Sequence, residues 1–129
     1  MKFTLHYLIQ TMQYTWRLDE FARLMAHKHY LEDTLEDVID QKNIAVNWLR
    51  EKFHAVGPMQ VYRDNHIRYM TEDGEEHTYY WSVTTRDGQE FEQFVTPIKR
   101  YNWFEGEWRR VEQRIDEWLH EVAEERRNN

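Results

Sequence analysis

Two rhythms of apolar residues divide the chain. From Leu31 to Val56 apolar side chains recur at helical spacing, through Leu35, Val38, Ala45, Leu49 and Phe53. This predicts one long helix with an irregularity near residues 40–43. Thr34-x-x-Asp37 resembles a capping box there, and Asn43 offers an alternative helix start. Ahead of it, Leu5, Leu8, Ile9, Met12 and Trp16 form a helical stripe. The alternation of Phe3, Leu5, Tyr7 and Ile9, then Met12, Tyr14 and Trp16, also suits strands. No turn residue separates those two runs, so helix is the better reading. A second helix starts near Leu18 and carries Phe21, Leu24 and Met25. The first Gly or Pro is Gly57-Pro58, which closes the helical half, because Gly suits a helix C-terminus and Pro cannot continue the helix.

Beyond it the rhythm becomes strand-like and is punctuated by three similar triplets: Arg63-Asp64-Asn65, Glu72-Asp73-Gly74 and Arg86-Asp87-Gly88. Each ends in a residue that tolerates positive φ, as a three-residue hairpin loop requires. Three such loops give a four-stranded antiparallel meander and set its register. Val61 then faces Ile67, Ile67 faces Tyr79, Tyr69 faces His77, Val83 faces Phe91 and Tyr79 faces Val95. These pairs share one mostly apolar face, which a two-residue loop at Asp87-Gly88 would break.

The last rhythm is helical again. Phe104, Trp108, Val111, Ile115, Trp118 and Val122 step by 4, 3, 4, 3, 4. Glu105 and Glu107 at its start and Arg126 and Arg127 at its end suit the helix dipole. The stripe is read as packing on the sheet. A homodimer through this C-terminal helix is its alternative use. The fold class is therefore α+β in a single domain, residues 1–129: N-terminal helices over 1–56, a four-stranded antiparallel β-meander over 57–103, and a C-terminal amphipathic helix over 104–129 packed on the sheet.

Composition narrows the chemistry. No cysteine means no disulfide and no thiolate metal site. No apolar run reaches the length of a membrane span, and no signal pattern opens the chain, so the reading is cytoplasmic, with no membrane partner. The net charge is −7, and no segment is basic, which argues against nucleic acid as a partner. Ser82 is the only serine and sits mid-strand in this reading, and the four glycines form no phosphate loop. Glu51/His54 and Glu117/His120 are Glu-x-x-His pairs of the kind that di-metal helix bundles use. Both fall beside the apolar stripes rather than on them, so no metal or other cofactor is assigned. His27 and His29, two apart, point to different sides of a helix and read as solvent-facing.

The meander's other face holds the residue-level candidate. Tyr62, His66, Tyr80 and Phe94 line up across the four strands, with Arg68 and Thr78 on one flank and Ser82 and Glu92 on the other. Such a row is either a partner-binding surface, through Tyr62, His66, Arg68, Tyr80, Glu92 and Phe94, or a layer covered by the N-terminal helices. With six Trp, eight Tyr and six Phe, aromatic side chains are abundant enough for either. The functional expectation is a non-enzymatic protein-binding domain that blocks or tethers a partner with a basic surface, as an inhibitor, immunity-type or adaptor protein does. Small acidic blockers of this sort are common in phage and bacterial conflict systems, an association of class only. The alternative is a small-molecule-binding or enzymatic domain with an aromatic-lined pocket and a Glu or His as its polar group.

Overall fold

A computed structural model describes residues 5–128 of the chain, with side chains described from Trp16 onward. The order is α1 (Leu5–Phe53), β1 (Val56–Tyr62), β2 (His66–Met70), β3 (Glu76–Tyr80) and α2 (Arg86–Arg127). The class is α+β, as the two rhythms imply, but the sheet has three strands rather than four. Two compact units are distinguished: Met1–Asp33 with Gly106–Asn129, and Thr34–Glu105.

In the second unit the meander β1-β2-β3 is antiparallel throughout, with the expected register. Val61 pairs with Ile67, Ile67 with Tyr79 and Tyr69 with His77. Two of the three corners close as the triplets require. Asn65 has φ 60° and Gly74 φ 79°. At the second corner the Gly74 N–H donates to Thr71 O (2.9 Å) and the Thr71 N–H to Glu75 O (3.2 Å), which closes the three-residue loop.

The third corner is not a hairpin. Thr85 starts α2: its hydroxyl accepts from the Gly88 N–H (3.1 Å) and its carbonyl from the Gln89 N–H (2.9 Å). This is the hydrogen bonding of an N-cap. Gly88 is required because a Cβ there would lie 1.4 Å from Ser82 O, not because its backbone is left-handed. Residues 86–103, read as loop, strand and linker, therefore belong to α2, and Val83 is an exposed linker residue with no strand partner. The ambiguity lies in Phe91 and Val95. A step of four returns to the same face in both a strand and a helix. What separates the two is the next inward residue, and Ile98, three further on, is 6% exposed, as a helix demands.

The core of this unit joins α1, the inner sheet face and α2. Leu49, Ile67 and Val95 are fully buried at its centre, with Ala45, Trp81, Phe91 and Ile98 around them. Phe53 stacks on Tyr69 (4.5 Å) and on Phe91 (5.6 Å), tying both helices to the sheet.

α1 is one uninterrupted helix. The second start near Leu18 and the irregularity at residues 40–43 are absent, and residues 5–16 are helical; residues 1–4 lie outside the description. The helix stops before Gly57-Pro58. His54 takes the left-handed position (φ 52°), the Ala55 N–H donates to Arg50 O (3.0 Å) and the His54 N–H to Glu51 O (3.4 Å). That is a Schellman ending with His where Gly is usual. Gly57 (φ 72°) instead sits in β1, where the pairing with β2 is irregular between Val56 and Gln60, as at a bulge.

The first unit pairs the early part of α1 with the late part of α2, antiparallel. Leu31, Val111, Ile115 and Trp118 are buried, and Phe21 stacks on Trp118 at 4.8 Å. Trp108 Nε1 donates to Glu32 (3.0 Å), and Arg17–Glu125 (2.5 Å) and Arg114–Glu20 (2.9 Å) bridge the two helices. Within this unit the terminal apolar stripe, expected on the sheet, thus packs on α1. Of the stripe that suggested a homodimer, Val111, Ile115 and Trp118 are buried within this unit, and Trp108 and Val122 are half-buried.

Candidate functional site

The outer sheet face carries the aromatic row that the register anticipated, in three members. Tyr62 pairs with His66 across β1–β2, and His66 with Tyr80 across β2–β3. The Tyr62 and His66 rings stack at 4.2 Å with 7° between planes, and the His66 and Tyr80 rings lie 4.9 Å apart at 31°. Rings stacked in the strand-to-strand direction stand on the sheet with their edges outward. The face is therefore a ridge of ring edges and hydroxyls rather than a flat platform. Arg68 lies 5.4 Å from the Tyr62 ring, and the Tyr62 hydroxyl donates to Gln60 (2.6 Å).

Most of this face is exposed, and among the described residues of this unit no helix is packed on it. Gln60, Arg68, Met70, Glu76, Thr78 and Tyr80 are all exposed, and Tyr80 is 66% accessible. The helices of this unit pack on the inner face instead, through Leu49, Phe53, Phe91 and Val95. His66 is the exception at 7%, buried by the two flanking tyrosines. Asp64 Oδ1 sits in close contact with its Nδ1, yet outside hydrogen-bond geometry, so that buried nitrogen has a carboxylate neighbour and no aligned acceptor.

Phe94 and Glu92 do not belong to this face, because both lie on α2. Phe94 stacks on Trp48 at 4.0 Å and 6°, on the helical layer. Glu92 accepts from Trp81 Nε1 (3.0 Å) and lies 3.5 Å from Lys99 Nζ. Lys99 also donates to Asn65 Oδ1 (3.0 Å), and the Trp81 N–H donates to Asn65 O (3.1 Å). Glu92 is thus part of a polar latch that ties the first corner to α2. Sequence reasoning missed the latch. Its signal was the i, i+7 spacing of Glu92 and Lys99, legible only once this stretch is read as helix.

Among the described residues neither Glu-x-x-His pair belongs to a cluster of three potential metal ligands. His54 is at the left-handed end of α1, off the helical face of Glu51, and His120 lies exposed beside Glu124. Asp73, Glu75 and His77 do converge at the β2–β3 corner, with one potential ligand atom each within 4.8 Å of the others. Their hydrogen bonds account for that arrangement. Asp73 accepts from the Thr71 hydroxyl and from the Glu75 N–H (3.2 Å), and Thr71 Oγ1 lies 3.1 Å from His77 Nε2.

The Thr71 hydroxyl, followed by the Glu75 amide, holds the Asp73 carboxyl below its ordinary pKa. A depressed folded-state pKa contributes stability above the unfolded carboxyl's pKa and loses it as pH falls through the folded value. Asp73→Asn is therefore expected to lower the urea midpoint at pH 7, and the deficit is expected to shrink as the pH is taken down towards 2. A deficit that stays constant over that range would show that the carboxylate charge is not what braces the corner.

Among the described residues no helix is long and apolar enough to cross a membrane. Comparison with known protein families, with curated proteins and with solved structures finds no match for this chain.

Proposed function

We propose that this is a non-enzymatic protein-binding domain that acts by occluding or tethering a partner protein, in the manner of an inhibitor, immunity-type or adaptor protein. The observation that carries the reading is the largely exposed sheet face with its Tyr62–His66–Tyr80 ridge and Arg68 beside it. Upright tyrosines offer apolar ring surface and a hydroxyl at little cost in conformational entropy, which is why such residues concentrate binding energy at interfaces. His66 is too buried to be a main contact. Its role is to hold the two tyrosines apart and upright. The net charge of −7 supports a partner with a basic surface.

Tyr80→Ser tests this. Tyr80 is exposed, so the variant is expected to keep its stability within about 0.5 kcal/mol. Used as bait in an extract of the native cell, the wild-type chain is expected to recover a partner that the variant recovers at least about tenfold less well, the effect of losing an interface hot spot. Equal recovery by both proteins would remove this face from the interface. Recovery of no partner, together with turnover of a metabolite by the pure chain, would favour a small-molecule activity instead.

A further inference from the structure

We propose that the helical layer of the second unit carries a separate docking groove, and that its occupant is a basic amphipathic helix of a partner protein. The groove runs between α1 and α2 and is lined by Gln41, Ile44, Ala45, Gln93, Phe94 and Pro97. Ile44 is 65% exposed at its mouth, and the Trp48–Phe94 stack forms one end. An exposed isoleucine beside a parallel aromatic pair and a proline is an apolar seat of the kind a helix fills with residues at i, i+4 and i+7. Pro97 adds a polar feature. It lies inside α2 and has no N–H, so the Gln93 carbonyl lacks its donor from the next turn.

Charge selects the occupant. Asp37, Asp40 and Ile44 follow one another at i, i+3 and i+7, so they share one face of α1. Both aspartates are exposed and make no ion pair among the described residues, and Glu36 beside them is also exposed. Three basic groups of these helices are each engaged by a ring or a carboxylate. Lys42 lies over the Tyr101 ring (4.4 Å), and Arg100 lies over Phe104 (5.8 Å). Lys52 is paired with Glu90 (3.7 Å) and lies over the Trp48 ring (4.8 Å). An apolar seat continued by unpaired carboxylates complements a helix that carries Lys or Arg next to its apolar anchors. This site stands apart from the sheet's outer face and does not depend on it.

The test is selection of a displayed library of random 16-residue peptides on the full chain. One enriched peptide is then synthesised and titrated by fluorescence anisotropy. The expected binders carry Lys or Arg flanking apolar residues at i, i+4 and i+7. Ile44→Asp is expected to weaken the peptide about tenfold or more. Asp37→Asn with Asp40→Asn is expected to weaken it several-fold and to flatten its salt dependence. Tyr80→Ser is expected to change nothing. Ile44 and both aspartates are exposed, so these variants should keep the wild-type thermal midpoint, and the aspartate pair tests the site even if Ile44→Asp does not fold. The proposal is overturned if no peptide is enriched, if the enriched peptides lack basic residues, or if they are indifferent to these substitutions. It is also overturned if the chain forms a dimer that Ile44→Asp dissociates, since a second copy would then be the occupant.

Discussion

Leu49→Ala is expected to destabilise the second unit by about 3 kcal/mol, within the range measured for emptying a fully buried leucine site. Leu49 is wholly inaccessible, and the elements around it meet from three directions: Ala45 on its own helix, Ile67 from the sheet, and Phe91 and Val95 from α2. Large aromatic neighbours are held by one another, as in the Phe53–Phe91 and Tyr79–Phe91 contacts, so the site cannot collapse freely onto the lost methyls. The loss should appear as a lower urea midpoint at unchanged slope, and as faster exchange of the Ile67 and Tyr79 amides. Ile44→Ala is the natural control. Ile44 lies on the open side of the same helix, so its truncation should shift stability by no more than about 0.5 kcal/mol.

Gly88→Ala is the second large effect, and its sign is the informative part. Inside a helix, alanine is ordinarily favoured over glycine by about 1 kcal/mol. At Gly88 the opposite is expected, a loss of about 3 kcal/mol. The new Cβ would fall 1.4 Å from Ser82 O and 2.3 Å from Ser82 C. Both are backbone atoms, so the turn from Ser82 to Thr85 must open and the N-cap of α2 is lost with it. Gly106 is the internal comparison. It also lies within α2, but beyond the neighbouring backbone of its own helix no described atom comes within 4 Å of the place a Cβ would take. Gly106→Ala should therefore follow propensity and stabilise by about 1 kcal/mol. If both substitutions stabilise, the close approach at Ser82 is wrong.

The sheet's register was legible because Asn65 and Gly74 sit at corners where a left-handed residue closes a three-residue loop, and because a slip of one residue would have turned Ile67 and Tyr79 to water. The third triplet misled because its composition serves two purposes. Arg86-Asp87-Gly88 suits a hairpin loop, but after Thr85 it also makes a first helical turn with an acid near the positive end of the dipole. Phe91 and Val95, four apart, could not decide between them. For the same reason three of the four positions in the aromatic row were readable. Tyr62, His66 and Tyr80 follow from the two correct corners, whereas Phe94 and Glu92 depended on the third. The end of α1 was hidden by His54, a residue that seldom caps a helix in the left-handed conformation, while Gly57 three positions later served the bulge of β1.

The most direct test of the binding role places a photo-reactive benzophenone amino acid at position 80 and, separately, at position 120, in the chain expressed in its native cell. Tyr80 and His120 are both exposed, but only the former lies on the outer sheet face. The expected result is a covalent adduct with one partner protein from position 80 and none from position 120. No adduct from position 80, or the same adducts from both positions, would contradict a docking role for that face.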